Sequence, residues 1–192
     1  NTEFGFQTNP PPSNCGCVFL RPATAAHFLN WAEYIEWSNP RVRSDAQYLL
    51  FDAPSGLPAR PNESSFSSGL LFANGSHKAD YAAYVLPFYM PVTTALPGAP
   101  LEVWGVVRPA AFARKDTGQV PSVEVQFRPS SKRAWRTMRT VAIAAASSDF
   151  EVPIRFPGSG SVRLQWTYPT GYAFLPPGTA RTVTSRVQKI SL

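Results

Sequence analysis

The chain has 192 residues, enough for one full domain or for a small domain joined to part of another. At 44% hydrophobic and 13% aromatic it is globular rather than disordered, and no run approaches the ~18 apolar residues of a membrane span. The net charge of +6 is uneven: residues 1–91 carry five basic and seven acidic side chains, residues 92–192 thirteen and five.

Residues 1–8 read as a short buried strand, broken at Asn9 to Pro12, with an irregular loop from Ser13 to Leu20. Pro22 opens a helix where its missing N–H does no harm. Phe28, Leu29, Ala32 and Ile35 fall at helical spacing, with Glu33 and Glu36 off that face, and Asn39-Pro40 ends the run. Residues 42–51 read as the next strand. Strand, helix, strand is a βαβ unit, which requires a parallel pair.

A Pro/Ser/Gly-rich loop runs from Asp52 to Ser65, and Asn74-Gly75-Ser76 marks a turn. Lys78 to Leu86 reads as a short apolar helix stopped by Pro87. After Pro91 the pattern becomes strand alternation. Val123, Val125 and Phe127 alternate with Glu124, Gln126 and Arg128, and Val162, Leu164 and Trp166 with Arg163 and Gln165. Further runs lie near 101–107, 134–143, 150–156 and 181–190. This spacing predicts a β-sandwich of immunoglobulin-like type over residues 92–192, with Val123, Val125, Phe127, Val162, Leu164 and Trp166 inward. The Cys…Trp…Cys signature of antibody domains is absent. Twenty prolines and twelve glycines without a repeat agree with a turn-rich, β-rich chain.

The string Thr2-Glu3-Phe4-Gly5-Phe6-Gln7-Thr8-Asn9-Pro10-Pro11 resembles strand 7 of retaining glycoside hydrolases of the Glu/Glu (β/α)8-barrel superfamily, in a bacterial cellulase-like group. The resemblance continues through Asn39-Pro40-Arg41-Val42-Arg43-Ser44 and Ala46-Gln47-Tyr48-Leu49-Leu50. It extends to Ser68-Gly69-Leu70, Gly75 with Lys78, Tyr81-Ala82-Ala83-Tyr84 and Leu86-Pro87. Trp104-Gly105-Val106-Val107-Arg108-Pro109 and Trp135-Arg136-Thr137 resemble the sandwich that trails the same group. It implies an α/β plus all-β fold: residues 1–91 the last two βα units of a barrel, residues 92–192 a β-sandwich. A complete barrel takes about 250 residues, so the first six repeats would come from a preceding segment or a partner chain.

The resemblance also implies chemistry. Glu3 is the expected nucleophile, attacking the anomeric carbon to form a glycosyl-enzyme. The acid/base carboxylate has no counterpart: Glu33 and Glu36 lie on a helix, and Asp45 falls within the second strand. Asp52 suits either a sugar hydroxyl or a structural loop role. Phe6, Tyr48 and Phe51 suit either core packing or stacking under a sugar ring. Tyr168, Tyr172 and Phe174 form either a carbohydrate platform or a cover for the sandwich edge.

No cofactor and no metal is expected; Cys15-Gly16-Cys17, His27 and His77 lack the spacing and number of a zinc site. Cys15 and Cys17 suit a local disulfide closing a very small ring, or free thiols. Asn62-Glu63-Ser64 and Asn74-Gly75-Ser76 are glycosylation triplets, the second better read as a turn. Thirteen basic residues would suit nucleic acid or acidic polysaccharide, but most alternate with apolar residues, the pattern of a solvated sheet face. The expected partner is therefore a carbohydrate, with no nucleic acid and no membrane. Secretion or display at the cell surface follows from the resemblance alone, since no signal peptide is visible. The competing expectation is a non-catalytic carbohydrate-binding or structural β-sandwich module.

Overall fold

The computed structural model describes residues 3–8, 19–53, 67–169 and 181–192. The chain divides into two compact units, Asn1–Tyr84 and Val85–Leu192.

The first unit holds α1 (Pro22–Ser38) and most of α2 (Ala79–Val85). Pro22 starts α1, and Arg21 before it is extended (φ −65°, ψ 141°), as a residue preceding proline prefers. At the other end Ser38 Oγ donates to the Ile35 carbonyl, and Asn39 Oδ1 accepts from the Arg41 N–H, so Asn39-Pro40 becomes a turn. The buried side of α1 is Ala25, Ala26, Leu29 and Asn30. This differs from the face expected from spacing, and Ile35 is exposed. The buried Asn30 explains the rotation: its Nδ2 donates to the Ala83 carbonyl at 2.9 Å, satisfying a last-turn carbonyl of α2. Ala26, Leu29, Leu70 and Ala83 make a small core, bordered by Phe4, Phe6, Tyr81 and Tyr84.

The expected barrel units are absent. Neither 2–8 nor 42–51 forms a strand among the described residues. Single bridges link Phe4 with Gln47, Thr8 with Leu20 and Phe51 with Leu71 in parallel, and Leu71 with His77 antiparallel. Two features explain this. Leu49 has φ +82°, which interrupts an extended run that a barrel strand would need unbroken. Arg43, Ser44, Asp45 and Ala46 are all exposed, whereas barrel strands are buried on both faces.

The second unit is an antiparallel β-sandwich. One sheet has the order β1-β2-β5, from Phe88–Tyr89, Pro100–Val106 and Asp149–Arg155. The other contains β3 (Ser122–Arg128), β4 (Arg136–Ala142), β6 (Gly160–Thr167), β7 (Thr182–Thr184) and β8 (Gln188–Ile190). Its order is β4-β3-β6-β7, with β8 also paired to β6. Every pairing among these strands is antiparallel; a single bridge, Thr94 to Ser191, is parallel. Helix α3 (Ala110–Thr117) connects β2 to β3 and ends on Gly118 at φ +68°. A helix in the connection from one sheet to the other, with three and five strands among the described residues, is not the seven-strand immunoglobulin arrangement. Among the described residues the fold is thus a mostly antiparallel β-sandwich protein with three helices, not barrel units followed by an immunoglobulin-like domain.

Period-two alternation drives the packing. Leu101, Val103, Phe150, Val152 and Ile154 from one sheet share a core with Val123, Val125, Phe127, Val162, Leu164 and Trp166 from the other. Gly105 lets the sheets approach: a Cβ there would lie 2.7 Å from Leu164 Cδ1 and 2.9 Å from the Phe150 ring. The remaining face of the larger sheet, carrying Glu124, Gln126, Arg128, Arg163 and Gln165, is left for other work.

Candidate functional site

Among the described residues, those singled out in the first unit range from exposed, as Glu3 and Phe51, to buried, as Asp52. Glu3 is exposed, and among the described residues no hydrogen bond or ion pair involves its carboxylate. Its neighbour Phe4 donates its N–H to Ala46 and accepts from Tyr48. Phe6 packs edge-on to Phe4, with ring centroids 5.2 Å apart, and against Phe28 at 5.7 Å. Tyr48 is half-buried, and Phe51 is exposed beside Gly75. Asn74-Gly75-Ser76 is a turn, with Asn74 Oδ1 accepting from the Ser76 N–H and Gly75 at φ +82°. Cys15, Cys17, Asn62, Tyr172 and Phe174 lie outside the described residues.

Asp52 is the residue whose environment is most fully specified. It is buried, and its Oδ1 accepts from Lys78 Nζ at 2.5 Å and from the Gly69 N–H at 3.0 Å. The other Lys78 protons go to Thr8 Oγ1 at 2.8 Å and the Ser67 carbonyl at 3.0 Å. An ammonium has three protons to donate, so the buried Lys78 is fully satisfied. Gly69 is required here, because a Cβ would lie 2.4 Å from the Asp52 nitrogen and the Phe51 carbonyl carbon. This cluster ties residues 8, 52, 67, 69 and 78 together and commits Asp52 to structure. Beside it Asp80 is buried, with Oδ1 unpartnered among the described residues. Burial, opposed by its own backbone N–H and Lys78, raises its carboxyl to about 6. Among the described residues no group of three or more His, Cys, Asp or Glu side chains is disposed to hold a metal ion.

The outer face of the five-stranded sheet carries a more continuous arrangement. The β3–β6 register sets Glu124 opposite Gln165, Gln126 opposite Arg163 and Arg128 opposite Ser161. Side chains two apart share a face, so these residues form a band across the sheet. Gln126 Nε2 donates to Glu124 Oε2 at 2.8 Å, and Thr137 Oγ1 donates to the same oxygen at 2.9 Å. Arg163 Nε donates to Gln126 Oε1 at 2.9 Å and its Nη2 to Gln165 Oε1 at 3.2 Å. Trp135, just before β4, lies against both Arg128 and Arg163, with guanidinium carbons 4.4 and 4.3 Å from its ring centroid. Gln126 is buried beneath this layer although it points away from the core. At the other end of the band, Gln119, Ser122, Glu124, Gln165, Thr167, Pro121 and Pro169 contribute to a groove of about 240 Å³. Beyond it Thr167 and Thr182 pair their hydroxyls at 3.0 Å.

Planar amides, guanidinium groups and hydroxyls fixed by one another, with an indole alongside, present in-plane hydrogen bonds and an apolar ring face together. Sequence reading placed these arginines on a solvated face and used Trp135 only as part of a resemblance. The signal that could have found the band is the shared parity of 124, 126 and 128 with 163 and 165, once β3 and β6 are paired.

No protein-family model matches the chain, and no curated protein matches it. Among solved structures, a superoxide reductase (neelaredoxin) from Ignicoccus hospitalis is similar over 56% of this chain and 79% of its own, at 13% identity and TM-score 0.40. The Bacteroides uniformis β-glucuronidase 2 aligns over 99% of this chain at 14% identity and TM-score 0.35. A second structure of a B. uniformis β-glucuronidase aligns over the same share at 13% and 0.33. The chain spans 21% of the length of either β-glucuronidase chain. Similarities at this level assign no family and no activity; function has to be argued from the residues themselves.

Proposed function

We propose that the protein is a non-catalytic carbohydrate-binding module, whose ligand lies along the outer face of the five-stranded sheet. The observation that carries this is the mutually hydrogen-bonded band Glu124–Gln126–Arg163–Gln165 with Trp135 alongside. Sugars need fixed in-plane donors and acceptors for their hydroxyls and an apolar surface for their C–H groups. A band whose side chains already restrain one another loses little further entropy on binding. The groove is below the size of a drug-type pocket, so it suits one sugar unit of a longer chain rather than an enclosed ligand.

The test is calorimetric titration of the 192-residue chain with a panel of neutral and acidic oligosaccharides. Binding is expected, and Trp135→Ala and Gln165→Ala should each weaken it by about tenfold, the equivalent of one good polar or stacking contact. Absence of binding across the panel overturns the proposal.

The string Thr2-Glu3-Phe4-Gly5 and the exposed, uncommitted Glu3 carboxylate favour a second reading, in which the chain belongs to a longer retaining glycoside hydrolase. Glu3 would then be the nucleophile, while the acid/base falls on no residue identified in this chain. Under that reading the sandwich face holds substrate rather than acting on its own.

A further inference from the structure

We infer that the outer sheet face recognises an anionic sugar, whose charged group is received by Arg128 and Arg163. The inference rests on the carbohydrate-binding reading above and specifies its ligand.

The two arginines arise from neighbouring strands and lie against the same indole, at 4.4 and 4.3 Å. Neither forms an ion pair among the described residues. Arg163 is held only by neutral acceptors, Gln126 Oε1 and Gln165 Oε1. These amides orient its guanidinium without cancelling its charge. Arg128 keeps a buried Nε with no partner among the described residues, a donor whose desolvation is uncompensated. Glu124, on the same face, keeps its charge but is turned to Gln126 and Thr137 rather than to either arginine. Lys189 adds a third cation at this end, since β8 sets it opposite Ser161, which in turn pairs with Arg128. Partial burial, and then the proximity of Arg128, lower the Arg163 guanidinium from its ordinary value.

Two like charges brought together, with no carboxylate paired directly to either among the described residues, are a liability in the free protein. An anion removes it. The planar fork of arginine pairs bidentately with a carboxylate or a sulfate oxygen pair. Trp135 gathers both guanidinium groups against one indole, and the Gln165–Thr167 groove continues the path for the sugar units. The shared chemistry is therefore a uronate carboxylate or a sugar sulfate ester.

The experiment titrates the 192-residue chain with an oligogalacturonate, its fully methyl-esterified counterpart, a sulfated oligosaccharide and a single-stranded DNA of matched charge. The expected result is that one of the two acidic sugars binds at least about tenfold more tightly than the neutral ester. That preference should weaken as salt is added. Arg163→Gln and, separately, Arg128→Gln should each lower the affinity for the acidic sugar more than that for the ester, so that the ratio between the two shrinks; retained near-ultraviolet circular dichroism checks that each variant is folded. The carboxylate and sulfate arms decide which anion is recognised. Equal affinity for the acid and its ester, with the sulfated sugar no tighter, overturns the inference and leaves the carbohydrate-binding module standing. Binding of the DNA as tightly as of the sugars overturns it in favour of a general polyanion surface. Binding of none of the four removes the module reading and this inference together.

Discussion

Asp52 and Lys78 form a buried ion pair, Oδ1 to Nζ 2.5 Å, joining a loop residue to the residue just before α2. The pair is closed by Thr8, Ser67 and Gly69, so each charge has polar company beyond its partner. Removing one member would leave the other buried and uncompensated. Lys78→Met is therefore expected to destabilise the first unit by about 3 kcal/mol. Hydrogen exchange of the α1 and α2 amides reads this directly, without assuming that the two units unfold together. Lys78→Met combined with Asp52→Asn should recover part of the loss; a single variant with unchanged exchange would show that the pair holds nothing in place.

Asp80 gives the first unit a defined pH response. Its carboxyl is raised from 3.8 to about 6, first by burial. Between about pH 4 and 6 the folded protein keeps a proton that the unfolded chain has released. Stability therefore falls as pH rises through that window and is level above it. The cost above pH 6 is on the order of 3 kcal/mol. Asp80→Asn mimics the protonated form and should abolish this component. The variant should gain on the wild type as urea denaturation is moved from pH 4 to pH 7. A constant difference between the two proteins across that range would contradict the assignment.

Gly69→Ala tests the close approach that positions Asp52. The added Cβ would meet backbone at 2.4 Å, and backbone cannot rotate away as a side-chain end does. The expected loss is about 2 kcal/mol, in the range of overpacking. It should appear as faster exchange at Asp52 and Leu71, whose backbone groups are hydrogen-bonded beside the glycine.

Glu3→Gln separates the two functional readings. If the sheet face acts as an independent module, the variant should bind oligosaccharides with unchanged affinity, because the binding residues all belong to the second unit. In a longer retaining hydrolase the same change should lower turnover by several orders of magnitude with little effect on binding. Measuring affinity in the chain and turnover in the longer natural protein, where one is found, reads both outcomes. Loss of sugar binding in this chain would count against the sheet face as the site.

The strand alternation after Pro91 was legible because its period is local. Val123, Val125 and Phe127, with Val162, Leu164 and Trp166, are all buried in the sandwich. The helix at Pro22 and the turn at Asn74-Gly75 were legible for the same reason, since proline and asparagine–glycine act on their own backbone. The strand expected over 42–51 was not realised. Tyr48-Leu49-Leu50-Phe51 has strand composition, but Leu49 turns left-handed, and Leu50 and Phe51 are exposed. The exposed face of α1 was misread because Asn30, polar by type, is buried by a bond to Ala83 that lies 53 residues away.

By itself the sequence determined which residues alternate, where proline and glycine interrupt, and that the positive charge gathers in the second half. Those properties depend on a residue and its immediate neighbours. Only the tertiary structure decided that β6 pairs with β3, which sets Arg163 beside Gln126 and both arginines against Trp135. It also decided that Asp52 pairs with Lys78. Both outcomes join residues far apart in the chain: burial of the shared apolar core selects the first, and satisfying buried polar groups the second, which no local pattern encodes.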